Sequence, residues 1–421
     1  MNIEEENKFF KYKIWFIQIS IVSVIVIATL LALPSLLKDR EFKTFDNDQL
    51  RKRALDRGMS SIPKTYDELL KVVDTPDNPI SIEKIQLGKE LYFDTLLSKN
   101  NNISCATCHM IKQNSHKKST TLLDTITAKG EDKTNCVACH LEEESGTDRM
   151  ETAIGDEGKR NPFNLNTLTV LNSSLAKHLT WSGDGTSVEE RAGVAINAPF
   201  EMNLSAHEAE EKLKANPLYV KKFKKVFKQQ HQPITFENTQ KAIGAYVRTL
   251  LTRGSYDEFL DGNNDAISEQ AKRGLTNFIN LGCKGCHTGM SVGGQSMQRF
   301  PIRNFATIHD LRPNFTLYPE IKRIEMDFPF ENKGGFKGQK ITNKFRVPIL
   351  RNVTKTSPYF HNGAVDKIRE AVQIMGKNQL GINLSAKQID ELVAFLQTLE
   401  GTLVDYKIDN AKVQGELNES N

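Results

Sequence analysis

The sequence is poor in cysteine and tryptophan, and neither charge is in large excess. Its 421 residues include six cysteines and two tryptophans, and the formal net charge is +4. Because that charge is small, the composition argues against a nucleic-acid partner. All six cysteines fall inside three short motifs, so the sequence offers no other thiol for a disulfide or a nucleophilic catalyst. A chain of this length suits two or three domains.

The three cysteine motifs share the pattern C-x-x-C-H, the attachment signature of a c-type haem. On a helix, the two cysteines and the following histidine share one face, so two thioether bonds and one axial imidazole can reach a single haem. A zinc site or a thioredoxin-like redox pair uses similar spacing, but a histidine after every second cysteine argues against both. Three covalently attached haems are therefore predicted, at Cys105, Cys108 and His109; at Cys136, Cys139 and His140; and at Cys283, Cys286 and His287.

Residues 14–33 form an uncharged apolar run long enough to cross a membrane. About 20 residues at about 1.5 Å each match a hydrocarbon core about 30 Å thick. Lysines precede the run, as expected for an amino terminus on the cytoplasmic side. The alternative is a cleaved secretory signal, but the run is longer than a usual signal core and lacks a clean cleavage site. We therefore expect a single-pass anchor in the cytoplasmic membrane with the haem domains in the periplasm, where bacteria complete haem attachment.

Apolar residues at helical spacing predict a mostly helical fold after this run. A first packing helix is expected around Tyr66 to Val73, and another over Asn238 to Leu250. Ser268 is a suitable N-cap for a helix that leads to the third cysteine motif. A closing helix is expected over Ser385 to Leu399.

Six stretches of the sequence are distinctive, namely residues 87–98, Thr147-Asp148, Asn166 to Asn172, Asn197 to Met202, Val347 to Asn352 and Ser357 to Val365. They resemble the bacterial di-haem cytochrome c peroxidases, in the family's order, over about residues 80–401. The resemblance implies a mainly α fold with two cytochrome-c-like haem domains related as a pseudo-repeat, here preceded by the transmembrane helix. It also implies reduction of hydrogen peroxide to water, with electrons from a cytochrome c or a membrane quinol.

The expected domain organisation follows from this resemblance. The peroxidatic domain spans 80–250 and carries an extra haem-bearing insert at about 111–144, and the electron-transferring domain spans 251–401. The remaining segments are a cytoplasmic tip and anchor at 1–35, a tether at 36–79 and a carboxyl-terminal tail at 402–421. A homodimer is a further possibility for the assembly.

The first half departs from the family, whose members usually have one C-x-x-C-H motif there. Either His109 or His140 can therefore carry the peroxidatic haem. We favour His109, because the helix and the Leu-Ser turn before it normally seat that haem. The motif of His140 then carries a third, electron-transferring haem, whose sixth ligand is open among His116, Met150 and His178.

In the resembling enzymes, a histidine sixteen positions after the proximal one blocks the peroxidatic iron until an activating reduction. Counted from His140, that position holds Asp156. The block is therefore in doubt in this chain, and the iron is expected to be open from the start.

Peroxide cleavage needs a group that moves a proton between the two oxygens and a charge that stabilises the departing oxygen. Glu201 falls on the family's catalytic glutamate, and Arg191 stands ten residues upstream, where the family often has glutamine. An arginine there can stabilise the leaving oxygen as a fixed cation. The alternatives are a solvated acid at a helix start for Glu201 and a surface pair with Glu189 or Glu190 for Arg191.

Trp181 matches the tryptophan that lies between the haems in the family. A role in electron transfer follows from the resemblance, and a purely structural core position is the alternative.

Met375 falls on the sixth ligand of the family's electron-transferring haem. A methionine ligand raises the potential of a c-type haem above that of a bis-histidine site, which suits a relay that receives electrons from a donor. The resemblance also implies a calcium ion at positions matching Asn166, Thr356 and Pro358, and it places His361 near the path between haems. Carbonyl and amide oxygens suit such a hard cation.

Two rival functions remain after this comparison of motifs. One is an oxidase-type relative that modifies a partner protein, but that branch has a tyrosine where this chain has Met375. The other is a multihaem electron carrier without peroxidase activity, in which every iron is six-coordinate.

Overall fold

The structure is a computed structural model that describes residues 45–111, 145–185, 187–302 and 328–408. In these ranges the fold is helical, with two small antiparallel sheets. The helices are α1 Asn47–Leu55, α2 Tyr66–Val73, α3 Ile82–Phe93, α4 Cys105–Cys108, α5 Val188–Asn197, α6 Ala206–Lys214, α7 Pro217–Val226, α8 Phe236–Val247, α9 Ser255–Leu260, α10 Glu269–Asn280, α11 Ile368–Met375 and α12 Ala386–Thr398. The strands are β1 Thr252–Gly254, β2 Met297–Arg299, β3 Lys344–Arg346 and β4 Gly401–Leu403.

The fold class expected from the sequence needs one correction, at its amino-terminal transmembrane helix. Among the described residues, no helix combines the length and the apolar character needed to cross a membrane. The apolar run at 14–33, from which that helix was predicted, lies outside the described residues. The observed class is therefore helical with two small sheets.

The helices predicted from apolar spacing are confirmed, and their ends differ from the prediction by at most three residues. The first, α2, has the predicted bounds and begins with a capping box between Thr65 and Glu68. Ser268 caps α10 by accepting a hydrogen bond from Ala271 N, and Ser385 caps α12 in the same way. These side chains satisfy amide groups that have no partner within the helix.

We call the part of the fold around the first cysteine motif the first haem region. Here α3, which precedes that motif in the chain, packs against α8. The two helices approach closely at Gly88, where a Cβ atom would overlap the carbonyl oxygen of Ala242. Leu87, Leu91 and Tyr92 are buried in the core around this contact. The second haem region repeats the arrangement: α10 packs against α12, and Gly274 marks the close approach.

Thr252 in β1 joins the two haem regions through a pair of asparagines. Asn172 and Asn352 both adopt a left-handed backbone conformation, with φ near +60°. Each donates from its side-chain amide to the hydroxyl oxygen of Thr252, at 2.8 and 2.9 Å. Because all three residues are buried, these hydrogen bonds fix the relative register of the two regions.

The segment expected as a tether packs into the fold in its described part. Leu50 and Ala54 of α1 and the neighbouring Met59 are buried in the hydrophobic core that α9, α10 and α12 form. At the other end, β4 pairs with β1 in the register Thr252↔Leu403 and Gly254↔Gly401. The described residues on both sides of the 80–401 span therefore contribute to the second haem region.

Candidate haem sites

The first haem site lies at the one-turn helix α4 and the histidine that follows it. His109 Nδ1 lies 3.2 Å from the carbonyl oxygen of Gly146. In the tautomer that donates this hydrogen bond, Nε2 is free to bind iron, as in most histidine-ligated metal sites. Burial lowers the pKa of His109, which favours the neutral imidazole that metals require. Tyr92 also fixes this turn by donating to the carbonyl oxygen of His109, at 2.7 Å.

The second cysteine motif, with Cys136, Cys139 and His140, lies outside the described residues, as does His116. The choice between His109 and His140 for the peroxidatic haem therefore stays a prediction. The other two ligand candidates for a third haem are described: Met150 is 36% exposed, and His178 Nδ1 lies 3.3 Å from the carbonyl oxygen of Gly183.

Glu201 and Arg191 form an ion pair beside the first haem site. Arg191 Nη2 lies 2.5 and 2.8 Å from the two carboxylate oxygens of Glu201. Both side chains are about one third exposed, at 32% and 27%. The pair lies close enough to His109 for the charges to act on its pKa, where Glu201 raises it and Arg191 lowers it. Glu189 instead pairs with Arg248, so it is not the partner of Arg191.

Asp156 supports the turn that carries Glu201. Its backbone N–H donates to the carbonyl oxygen of Glu201 at 2.7 Å. Its carboxylate is fully buried and accepts hydrogen bonds from Asn100 N and Nδ2, both at 2.9 Å, and from Glu157 N at 2.7 Å. Burial alone would raise the pKa of this carboxyl, but these hydrogen bonds outweigh it and hold the pKa below its usual value.

The second haem site is a large cavity lined by Cys283, Cys286, His287 and Met375. His287 is buried, and burial lowers its pKa to about 4, so the imidazole is neutral at physiological pH. Most of the other lining residues are aliphatic or aromatic. Two thioether-forming cysteines, an imidazole and a thioether sulfur around one apolar cavity are the donor set of a methionine–histidine c-type haem. The residues present therefore fit the haem predicted from the sequence.

Trp181 lines this cavity and belongs to an aromatic cluster. Its indole N–H donates to the carbonyl oxygen of Asn166 at 2.9 Å. His361 lies with its ring centroid 6.4 Å from that of Trp181 and stacks on Phe345 at 4.6 Å. Five more phenylalanines complete the cluster, namely Phe300, Phe328, Phe330, Phe336 and Phe360.

The three residues predicted to bind calcium, Asn166, Thr356 and Pro358, all line the second cavity. The side-chain amide of Asn166 donates to Met150 O at 2.7 Å, and its backbone carbonyl accepts from Trp181. No cluster of three or more histidine, cysteine or acidic side chains suited to a metal ion occurs in the described ranges. The calcium prediction depends on carbonyl and amide oxygens, so this result does not test it.

Sequence reasoning missed Arg346, which lines the second cavity and is 2% exposed. It is the only lining residue among those described that carries a permanent charge. The sequence does contain an indication of this role, because Arg346 lies inside the apolar stretch Phe345-Arg346-Val347-Pro348-Ile349. An arginine buried with such a stretch needs a partner for its charge.

Several known proteins are similar to this chain in sequence or in structure. A family model for the di-haem cytochrome c peroxidases matches residues 82–131 and 122–265. The cytochrome c551 peroxidase of Nitrosomonas europaea is 32% identical over 79% of this chain and 84% of its own length. The cytochrome c551 peroxidase of Pseudomonas aeruginosa is 32% identical over 79% of this chain and 82% of its own length. The crystal structure of a MauG-like protein associated with microbial copper homeostasis has a TM-score of 0.58 at 24% identity, covering 81% of this chain and 94% of that one, which shows a shared fold.

Proposed function

We propose a mechanism from the premise that this chain belongs to the di-haem cytochrome c peroxidase family. The chain is a haem peroxidase with c-type haem, acting on peroxide with electrons from a cytochrome. In the proposed reaction, one hydrogen peroxide, two protons and two electrons give two water molecules. When bound, the haem supplies an iron that can accept peroxide and exchange electrons one at a time.

The observation that carries the mechanism is the ion pair between Arg191 and Glu201 beside His109. We propose that the Glu201 carboxylate takes a proton from one peroxide oxygen and returns it to the other, a transfer that a positioned carboxylate performs well. The Arg191 guanidinium stabilises the negative charge that develops on the departing oxygen. It also holds Glu201 in place when no peroxide is bound. His109 is the proposed proximal ligand, with its Nδ1–H fixed by Gly146 O.

The second site is the proposed electron relay. His287 and Met375 would hold the haem iron, and a methionine sulfur would favour its reduced state, which suits acceptance of electrons from a donor. The donor is a cytochrome c or a quinol. Trp181, at the cavity wall, is the proposed route for electrons towards the first site. An oxidase-type activity is less well supported, because a methionine stands at position 375 where that branch has tyrosine.

We further propose that the peroxidase needs no activating reduction. Counted from His140, Asp156 stands where the resembling enzymes have the blocking histidine, and its carboxylate accepts hydrogen bonds from Asn100 and Glu157. These hydrogen bonds hold Asp156 in place, and its backbone N–H supports the Glu201 turn.

Three finer points complete the proposal. The motif at Cys136, Cys139 and His140 would hold a third haem, which would supply electron transfer to the first site. A calcium ion binds at Asn166, Thr356 and Pro358. The haem domains work in the periplasm, because bacteria attach haem to C-x-x-C-H motifs outside the cytoplasm.

Steady-state peroxide reduction by the haem-loaded protein tests the proposal. The assay uses reduced cytochrome c or a reduced dye as donor and compares fully oxidised enzyme with enzyme reduced beforehand by one electron. We expect turnover in both cases. If neither form consumed peroxide, the protein would be a multihaem electron carrier.

Haem coordination spectra of His109→Ala and His140→Ala variants identify the peroxidatic site. We expect the five-coordinate signal to disappear in the first variant and to persist in the second. The reverse result would move the peroxidatic haem to His140.

A further inference from the structure

Arg346 is a buried cation without a described acidic partner. It lies at the end of β3 with 2% of its surface exposed and lines the second cavity. Its Nη1 donates to the carbonyl oxygens of His178 and Leu179, at 3.2 and 3.3 Å. Its Nε is buried and has no hydrogen-bond partner among the described residues. The described residues that line the cavity include no aspartate, glutamate or lysine.

Arg351, five residues later, shows what full compensation of a buried arginine looks like in this chain. Its Nη1 and Nη2 bind the two carboxylate oxygens of Asp257 at 2.8 and 2.9 Å, and its Nε donates to Met290 O at 2.7 Å. A buried charge without such a partner is strongly unfavourable. Burial lowers the pKa of Arg346 to about 10, which still leaves the guanidinium charged near neutrality. Among the described residues no group supplies the missing negative charge, so a negatively charged occupant of the cavity is the partner that fits Arg346.

We propose that Arg346 binds a propionate carboxylate of the haem attached through Cys283 and Cys286. This inference rests on the proposed function only in that a haem occupies this cavity. A guanidinium suits the role because its planar fork matches a carboxylate, and Nε together with one terminal nitrogen can bind both oxygens. The haem propionate would thus be held ionised inside an apolar wall.

The contact has a consequence for the redox potential of this haem. Reduction adds one negative charge to the haem, so a fixed cation nearby favours the reduced state. Arg346 therefore acts in the same direction as the sulfur of Met375, and both raise the potential of the relay. Without the cation, burial of the propionate raises its pKa towards neutrality, so protonation of the propionate becomes coupled to reduction.

Redox titration of the haem-loaded Arg346→Gln variant at several pH values tests the proposal. We expect a lower midpoint potential for the methionine-ligated haem and a pH dependence near neutrality that the native protein lacks. Arg346→Lys keeps the charge and should retain most of the native potential. Lys344→Gln, two residues away at an exposed position, removes the same charge in water and should leave the potential unchanged. A native potential and pH profile in Arg346→Gln, with haem and methionine ligation intact, would show that Arg346 does not bind the propionate and would overturn the proposal.

A second measurement covers the case in which Arg346→Gln does not accumulate. The propionate bending vibration in resonance Raman spectra responds to hydrogen bonding, so it should shift in Arg346→Lys, because an ammonium offers one donor direction instead of a fork. An unchanged vibration would reject the contact. Haem content and peroxide turnover are measured on the same samples. Suppose that the protein does not turn over peroxide, but that the Arg346 substitutions change the potential and the propionate vibration as expected. This result would reject the peroxidase mechanism and leave the inference about Arg346 intact.

Discussion

The two haem sites of this protein differ in how they hold charge. At the first site, a cation and a carboxylate face each other at hydrogen-bond distance and remain about one third exposed, as Arg191 and Glu201 do. At the second, the described wall holds a single permanent charge, Arg346, among aliphatic and aromatic side chains. A site that moves protons needs groups that can exchange them, whereas a site that only passes electrons is served by a dry cavity with a fixed potential.

The surroundings of each site are consistent with this division. The Glu201 turn is held by Asp156, whose carboxylate accepts three hydrogen bonds from neighbouring groups. The Trp181 wall is held by ring contacts between aromatic side chains, including His361 on Phe345. Polar support of this kind suits the proposed proton-transfer group, and aromatic packing suits the proposed electron relay.

The largest effect is expected for Glu201→Gln, which removes the proposed proton carrier but keeps the shape of the side chain. Loss of a general acid–base group lowers turnover by about 10²–10⁴-fold. We expect that loss in kcat/KM for hydrogen peroxide, with no change in the midpoint potential of the haem at His287. Glu190→Gln, an exposed acid on α5, is the matched control and should keep native turnover.

A smaller loss of kcat/KM in Glu201→Gln would argue against a proton-transfer role for the first site. If Glu201→Gln retained more than about a tenth of the native kcat/KM, a water or another side chain would have to carry the proton. A changed potential at His287 would instead show that the two sites share their electrostatics.

Arg191→Gln is expected to have the next largest effect, because it removes the cation that stabilises the departing oxygen. Removing one such donor costs about 10²-fold in kcat. Arg191→Lys keeps the charge but offers a single donor direction, so its loss should be smaller. Rapid-mixing measurements of single turnovers with peroxide separate this step from electron delivery. Equal losses in both variants would mean that the guanidinium shape matters more than its charge.

Met375→Leu acts on the other site and should leave the chemistry of peroxide at the first site intact. Loss of the sulfur ligand lowers the potential of the relay haem, and each 59 mV corresponds to about a tenfold change in a one-electron equilibrium. We expect about tenfold slower turnover with a cytochrome donor, and unchanged single-turnover reactivity with peroxide. Met290→Leu, the same substitution in a separate core cluster, should be close to native. Native potential in Met375→Leu would exclude Met375 as the axial ligand.

Local patterns in the sequence predicted much of the scaffold. Cap residues such as Ser268 and Ser385 and the apolar spacing behind them act within one or two helical turns, so they can be identified without tertiary information. The C-x-x-C-H motifs indicate covalent haem attachment without any tertiary information. The ion pair between Glu201 and Arg191 was not predicted, although only ten residues separate them across the end of one helix.

Long-range compensation of charge could not be predicted in this way. Arg346 and Arg351 lie only five residues apart, yet only Arg351 has an acidic partner among the described residues. That partner, Asp257, lies 94 positions away in the sequence. The joining role of Thr252, which binds Asn172 and Asn352 from 80 and 100 positions away, is hidden for the same reason. The transmembrane helix was predicted from hydropathy alone, and no described helix has that character.

Asp156→Asn should have the smallest effect on catalysis and a measurable effect on stability. The backbone hydrogen bond from residue 156 to Glu201 O remains in the variant, so peroxide turnover should stay within about twofold of native. Because hydrogen bonds hold the pKa of Asp156 below the unfolded value of about 3.9, its ionised form stabilises the fold above that pH, and the contribution disappears as pH falls through the folded pKa. Urea unfolding should show a deficit of about 1–2 kcal/mol at pH 7 that shrinks below about pH 4. Asp184→Asn at an exposed position should show neither change, and a deficit independent of pH would assign the support to shape instead of charge.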